Sequence, residues 1–242
     1  MSNNFDKYYD LIFLNKNYKK EVSYILKKTK LIKIKKILDI GCGTGTHSNL
    51  IYKSKKTRIF ALDKNKSSIA IAKNKNKNIN FSCKDLKSLK ENNFDLVISM
   101  FNVVNYFKNL KQLVFFFKGV KKKSSKNSLF IFDAWNGSFI FNTKTVEEKR
   151  IIKNKDIMLT NQIKSTKNTS SKKISLTYKI DINFFKESKK IRINHTLIQY
   201  LWTPKEIKNA LILAGFKSII INNSFTDKSF SKKDLKIIFL VS

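Results

Sequence analysis

Along the first half of the chain, short apolar runs alternate with stretches whose apolar residues recur at helical spacing. Lys36 to Ile40, Arg58 to Leu62, Ile79 to Cys83, Phe94 to Met100 and Ser128 to Ala134 have the length and composition of buried strands. Between them, Thr46 to Lys53, Ser67 to Asn74 and Leu110 to Lys121 predict helices, and Phe5 to Lys28 predicts an opening helix. The lysine-rich stretches Lys73 to Asn78, Lys121 to Lys126 and Thr166 to Lys173 read as loops or frayed helix ends. Strand–helix alternation of this kind implies crossover units and a parallel sheet.

The period changes after Trp135. Ile174, Leu176, Tyr178, Ile180 and Ile182 alternate with polar residues, as do Ile191, Ile193, Leu197 and Leu201, and no helix separates the two series. A period of two predicts an antiparallel sheet with one wet face. A marked helix follows: Thr203 can cap it, Pro204 fits its first turn, Glu206 completes a capping box and Gly215 can end it. Lys217 to Ile221 and Leu235 to Val241 are the last two strands. The expected architecture is α/β: a Rossmann-like, seven-stranded, doubly wound sheet, mostly parallel with its last strand antiparallel. Residues 136–202 are expected to form an antiparallel β-sheet lid inserted into a single domain spanning 1–242.

Composition narrows the class. The 242 residues carry a net charge of +33, yet 47 of the 50 basic residues are Lys and only Arg58, Arg150 and Arg192 are Arg. Surfaces that grip phosphates draw on arginine, whose planar fork binds them bidentately. Lys, Asn, Ile and Phe, whose codons are A/T-rich, dominate the chain, so the excess reads as lysine spread over solvated surface, and no specific nucleic acid is expected. No apolar run approaches the ~18–20 residues of a membrane span. Cys42 and Cys83 supply neither a disulfide framework nor metal-ligand spacing, and the two histidines add no metal site. The start, MSNNFDKYYD, lacks the basic-then-apolar pattern of a signal peptide, so a cytoplasmic protein is expected.

Three of the six glycines fall in one pentad, Gly41, Gly43 and Gly45, between a strand and a helix. Glycines there let the backbone turn sharply and approach a ligand, and the helix start offers free N–H groups. Asp63 ends the next strand, where a carboxylate can accept both hydroxyls of a ribose. The loop therefore predicts a nucleoside-containing cofactor. The spacing is G-x-G-x-G, not G-x-G-x-x-G, with Asp39 two residues ahead; the helix begins sooner and leaves less room for a pyrophosphate.

Asp39 to Gly45 resembles motif I of the class I S-adenosylmethionine-dependent methyltransferases. Ala61-Leu62-Asp63, Cys83-Lys84-Asp85 and Phe94-Asp95-Leu96-Val97 resemble the ribose-binding strand end, the adenine-facing position and the strand leading to the active site. The resemblance implies S-adenosylmethionine as cofactor, held by Asp39, Gly41, Cys42, Gly43, Gly45, Asp63, Lys64, Lys84, Asp85, Leu86 and Met100. Tyr8-Tyr9-Asp10, Lys16-Asn17-Tyr18 with Glu21, Ser99-Met100-Phe101-Asn102, Phe132-Asp133-Ala134-Trp135 and the strand bearing His195 resemble small bacterial methyltransferases acting on amino sugars and related molecules. The chain departs from them at Lys121 to Asn127, where they carry a Pro-Gly-Gly turn. The implied acceptor is a small molecule, foremost an amino group of a (nucleotide-linked) sugar. An RNA methyltransferase, a methyltransferase of another acceptor such as a quinone, and a basic binding module without activity are the competing readings. A homodimer is compatible with the group.

Candidate acceptor contacts are Phe101, Asn102, Asn105, Asp133 and Trp135. Candidate bases or orienters are Tyr9, Tyr18 and His195. Each has a plainer alternative: Tyr9 and Tyr18 as core aromatics, His195 as a satisfied structural histidine on the lid's apolar face, Asp133 as a turn cap, Trp135 as packing beneath the lid, and Asn102 and Asn105 as loop bonds. His47 reads as a helix-start residue.

Overall fold

The computed structural model describes residues 4–242. Three short helices open the chain: α1 (Asn4–Lys7), α2 (Tyr9–Ile12) and α3 (Tyr18–Lys28). The alternating region follows with β1 (Lys36–Ile40), α4 (Thr46–Lys55), β2 (Arg58–Asp63), α5 (Lys66–Lys75), β3 (Asn80–Cys83), β4 (Phe94–Ser99), α6 (Leu110–Lys123) and β5 (Ser124–Trp135). After the short α7 (Gly137–Phe141) come β6 (Glu147–Lys153), β7 (Ile157–Asn168), β8 (Lys173–Phe184) and β9 (Lys189–Tyr200). The chain ends with α8 (Pro204–Leu213), β10 (Ile219–Asn223) and β11 (Lys236–Val241).

The main sheet has seven strands in the order β10-β11-β5-β4-β1-β2-β3. β3, β2, β1, β4 and β5 pair in parallel, and β11 pairs antiparallel with both β5 and β10. Both faces are covered: Leu38, Val97 and Phe130 pack on one side with α6 and α8, and Ile37, Ile59 and Ile98 on the other with α3, α4 and α5. Two-sided burial is why these strands read as continuous apolar runs. Chain direction across the sheet reverses between β1 and β4, and at such a switch point the loops at the strand ends splay apart and leave a crevice. The Gly41–Gly45 loop and residues 100–102 flank that crevice.

The insertion is a separate antiparallel sheet, β6-β7-β8-β9. Its inward row, including Leu159, Tyr178, Ile180, Ile182 and Ile193, packs on Phe5 and Ile12 of the N-terminal segment. The capping box on α8 is formed: the Thr203 side chain accepts from Glu206 N, and the Glu206 carboxylate accepts from Thr203 N.

Two expectations need correction. The opening helix is broken at Phe13–Asn17, because Asn17 accepts from Lys20 N at 2.9 Å and so starts a new helix. The break also serves two cores, since Phe5 and Ile12 face the lid while Val22 and Ile25 face the main sheet. The second is the lysine-rich connection before β5, read as a loop across Lys121 to Asn127. Helix α6 instead runs to Lys123 and β5 begins at Ser124. The β4–β5 pairing shifts register between Phe94 and Leu96.

Candidate active site

The glycine loop is built from left-handed backbone that glycine adopts without strain. Gly41, Gly43 and Gly45 all have positive φ, at 74°, 54° and 77°. A Cβ at Gly41 would stand 2.6 Å from Val103, and one at Gly45 would stand 2.7 Å from the Phe81 ring, so those two glycines permit packing. A Cβ at Gly43 would meet no atom within 4 Å. Gly43 therefore lies open to the crevice, which is where a bound molecule would approach the backbone. Asp63 supports it from below: Oδ2 accepts from Gly43 N and Oδ1 from Asn65 N, both at 2.8 Å. A carboxylate has lone pairs beyond two such bonds, so Asp63 can still accept from a diol. Asp39 is fully buried under the loop and accepts from Ser48 Oγ at 2.6 Å; burial pushes its carboxyl up to about 6. Its role is to hold the start of α4 beneath the loop. An open Gly43, the Asp63 carboxylate beside it and the orphaned, buried Asn102 Oδ1 fit a nucleoside with further polar groups.

The N-terminal segment lies across this loop. Thr44 and Thr46 hydroxyls donate to Asp10 Oδ1 at 2.6 and 3.4 Å, Lys75 pairs with the same carboxylate, and Asn65 Nδ2 donates to Asp6 at 2.8 Å. Beneath the segment a cavity of about 30 Å³ is lined by Tyr9, Tyr18, Gly41–Thr44, Thr46, His47, Met100 and Phe101. Tyr9 and Tyr18 are thus brought to the loop, as expected of an acceptor-facing pair. Burial raises both phenols well above their ordinary range, so both are neutral O–H groups at pH 7. Neutral phenols orient an acceptor by hydrogen bonding; they do not act as bases at that pH.

His195 takes a different position. It points to the lid's apolar side, and its ring stacks on Phe5 at 3.9 Å. Phe5 in turn meets Tyr9 edge-on at 6.1 Å. The histidine is one layer behind the cavity wall, and burial lowers its pKa.

The expected acceptor residues separate by what their polar atoms already do. Phe101 lines the cavity. Asp133 is fully buried; Oδ1 accepts from the amides of Phe101 (2.6 Å) and Asn102 (3.0 Å), and Oδ2 pairs with Lys236 at 2.9 Å. It holds two residues in left-handed backbone, at φ 73° and 60°. Asn105, expected to contact the acceptor, instead clamps the lid: its Nδ2 donates to Tyr200 O at 2.8 Å and its Oδ1 accepts from Trp135 N at 3.1 Å. Both ends of the insertion meet on that one side chain. Trp135 donates to Gln199 Oε1 at 2.7 Å, which is packing beneath the lid.

Among the expected cofactor contacts, Cys42 and Met100 are buried and line the cavity, and burial pushes the Cys42 thiol up. Lys64 and Lys84 are exposed. Asp85 accepts from Ser88 N and Oγ and caps a single 3-10 turn. Leu86 is turned toward Gly119 of α6, away from the loop.

The sequence reading passed over three groups. Glu21 is buried, and its Oε2 accepts from Lys16 and meets His47 Nε2 at 2.6 Å. Burial alone would raise the Glu21 carboxyl, but His47 and Lys16 bring it down to about 2. Tyr106 stands within electrostatic reach of Tyr178 and Asp63, and Lys236 lies over the Phe101 ring. Apart from Lys16–Glu21, five residues apart, the pairs join residues far apart in the chain, which no local pattern shows.

Residues 37–122 match the family model of a methyltransferase domain. No curated protein matches the sequence. Among solved structures, an S-adenosylmethionine-dependent methyltransferase from Clostridium acetobutylicum superposes with a TM-score of 0.80 at 18% identity, covering 97% of this chain and 95% of that one. Streptomyces venezuelae DesVI gives 0.81 at 16% identity, covering 96% and 95%. S-adenosylmethionine-bound CalS10 from Micromonospora echinaspora, an amino pentose methyltransferase, gives 0.76 at 13% identity, covering 94% and 92%.

Proposed function

We propose that the chain is an S-adenosylmethionine-dependent methyltransferase that methylates an amino group on a small, sugar-like metabolite. The observation that carries the reading is the cavity at the switch point, walled by Gly41–Thr44 on one side and by Tyr9 and Tyr18 on the other. A site bounded by the loop and two aromatic side chains suits a compact acceptor. Two of the structural neighbours are described as sugar or amino pentose methyltransferases, which supports the same class.

S-adenosylmethionine supplies, when bound, a methyl group on a positively charged sulfur. Asp63 and the Gly43 backbone are the residues to hold its nucleoside, with Met100 and Cys42 against the same pocket. With the leaving group activated in this way, the chain has mainly to align the acceptor at ~3–3.5 Å and keep water out. A free amine has its lone pair ready, and the Tyr9 and Tyr18 hydroxyls can direct that lone pair. The ammonium product then releases its proton to solvent.

Equilibrium dialysis with S-adenosylmethionine should give a one-to-one complex, weakened by Asp63→Ala. Turnover should be found on amino sugars and be absent on RNA. Equal affinity in Asp63→Ala sinks the site, and saturable turnover on RNA alone sinks the acceptor class.

A further inference from the structure

The inward row of β9 carries Ile191, Ile193 and Leu197, and the same alternation continues to a glutamine, Gln199. Gln199 is only 3% exposed, and a primary amide withdrawn from water needs partners at both ends. It finds them where the lid joins the main sheet. Trp135 Nε1 donates to its Oε1 at 2.7 Å, and the Tyr106 hydroxyl hydrogen-bonds the same side chain. Asn105 closes the circuit by holding Trp135 N and Tyr200 O. Two consecutive residues of the 3-10 turn after β4 (Val103–Tyr106) thus grip the last two residues of β9 and the last residue of β5.

The circuit has a polarity. An indole nitrogen only donates, so the Gln199 oxygen faces Trp135 and its NH2 group is turned toward Tyr106. Burial raises the Tyr106 phenol, and the bond from Gln199 works against that, as an N–H given to the phenolic oxygen does. The Tyr106 oxygen therefore accepts, and its own proton is left to give. Tyr106 is 49% exposed, so the ring has an open side. Three elements surround it: Tyr9 of α2, Tyr178 of β8 and Asp63 at the end of β2 are within its electrostatic reach. Tyr9 is a wall of the cavity and Asp63 holds Gly43, so Tyr106 stands between the lid and the glycine loop.

We infer that Gln199 is a positioning residue, oriented by the Trp135 indole, that turns Tyr106 into a hydrogen-bond donor toward the methyl acceptor. The inference rests on the methyltransferase reading above and adds to it a residue of the lid's returning strand. One buried amide then links the placing of the acceptor to the seat of the lid.

Gln199→Glu keeps the shape and still accepts from the indole, but a carboxylate has no N–H to give. Tyr106 then donates inward, and its proton is withdrawn from the crevice. Binding of S-adenosylmethionine to the unaltered protein is measured first; its absence overturns the methyltransferase reading itself. That affinity should change less than twofold in Gln199→Glu and in Tyr106→Phe. With glucosamine as the probe acceptor, KM should rise about threefold to tenfold in each, the worth of one neutral hydrogen bond, with kcat little changed. The two losses should overlap: Tyr106→Phe combined with Gln199→Glu, or with Gln199→Met should the buried carboxylate prevent folding, should cost no more than Tyr106→Phe alone. A glutamine that only braced the fold would instead lower kcat and S-adenosylmethionine affinity together. A wild type inactive on glucosamine counts against the amino-sugar reading, and the inference is then decided by nuclear magnetic resonance. The Gln199 side-chain amide signal, assigned with Gln199→Met, should shift upfield in Tyr106→Phe because it loses the oxygen it donates to. An amide signal unmoved by Tyr106→Phe, or losses that add instead of overlapping, overturns the inference.

Discussion

Gly43 and Gly45 share a left-handed backbone but answer to different neighbours. Alanine at either position carries about 1–2 kcal/mol of backbone strain. At Gly45 the new methyl also collides with Phe81 at 2.7 Å, adding about 1–3 kcal/mol of overpacking. At about 2–4 °C per kcal/mol for a chain of this size, Gly45→Ala should lower the melting temperature by about 2 °C or more beyond Gly43→Ala. Gly43→Ala should instead weaken S-adenosylmethionine, by about tenfold or more, since its methyl projects where a ligand approaches. Melting curves and dialysis on both variants check the pair; the same profile for both would show that Gly43 does not face the ligand. Asp39 offers a pH-resolved test. Its folded pKa, raised by burial to about 6, lies above its ordinary 3.8. Wild-type stability from this group is therefore full below about pH 4 and is lost as pH rises through 6. An amide in its place cannot ionise, so Asp39→Asn should gain on the wild type steadily between about pH 4 and 7 in melts without ligand. A constant offset would mean that Asp39 is ionised throughout.

At the scale of elements, the N-terminal segment is the piece we expect to move. A cavity of about 30 Å³ holds roughly one water, far less than a nucleoside. The polar side of the segment is fastened to the loop by Asp10 and to Asn65 by Asp6, and its apolar side to the lid by Phe5 and Ile12. Ligand entry therefore requires the Asp10 contacts to break. Stopped-flow association of S-adenosylmethionine should reach a plateau rate with concentration, and Asp10→Ala should raise that plateau several-fold. A linear, diffusion-limited dependence unaffected by Asp10→Ala would rule out the gate. The same segment marks where local pattern stops being informative. Strands β1, β2 and β4 were legible because burial on both faces makes their interiors mainly apolar, and the capping box of α8 is written in four adjacent residues. The break at Asn17 was not, since asparagine at that spot reads equally as a weak helix residue until its side chain is seen to cap. Likewise Asn105 after β4 reads as an acceptor contact, and only the return of the chain at Tyr200 shows what it binds.

For the molecule as a whole, the question is what +33 does. The arginines bear on it directly. Arg150 is forked onto Glu148, and Arg192 pairs with Asp181, so two of the three guanidinium groups already have carboxylate partners. What remains for a polyanion is lysine, a hydrated point charge that attracts phosphate without fixing its geometry. Such attraction comes from counterion release and depends on charge density, not on sequence. RNA should therefore bind, with log affinity falling linearly in log salt and about 0.7 of a counterion released per phosphate contacted. Structured and unstructured RNAs of equal length should bind within a few-fold of each other, and none should be methylated. Exposed lysines should matter in proportion to number: removing Lys27, Lys164 and Lys186 together should reduce the salt slope, while turnover on the small acceptor stays unchanged because none of the three lines the cavity. Filter binding across a salt series, with methyl transfer assayed in the same tubes, measures both. A preference for one RNA that survives high salt, accompanied by methyl incorporation, would instead make the charge a recognition surface and RNA the substrate.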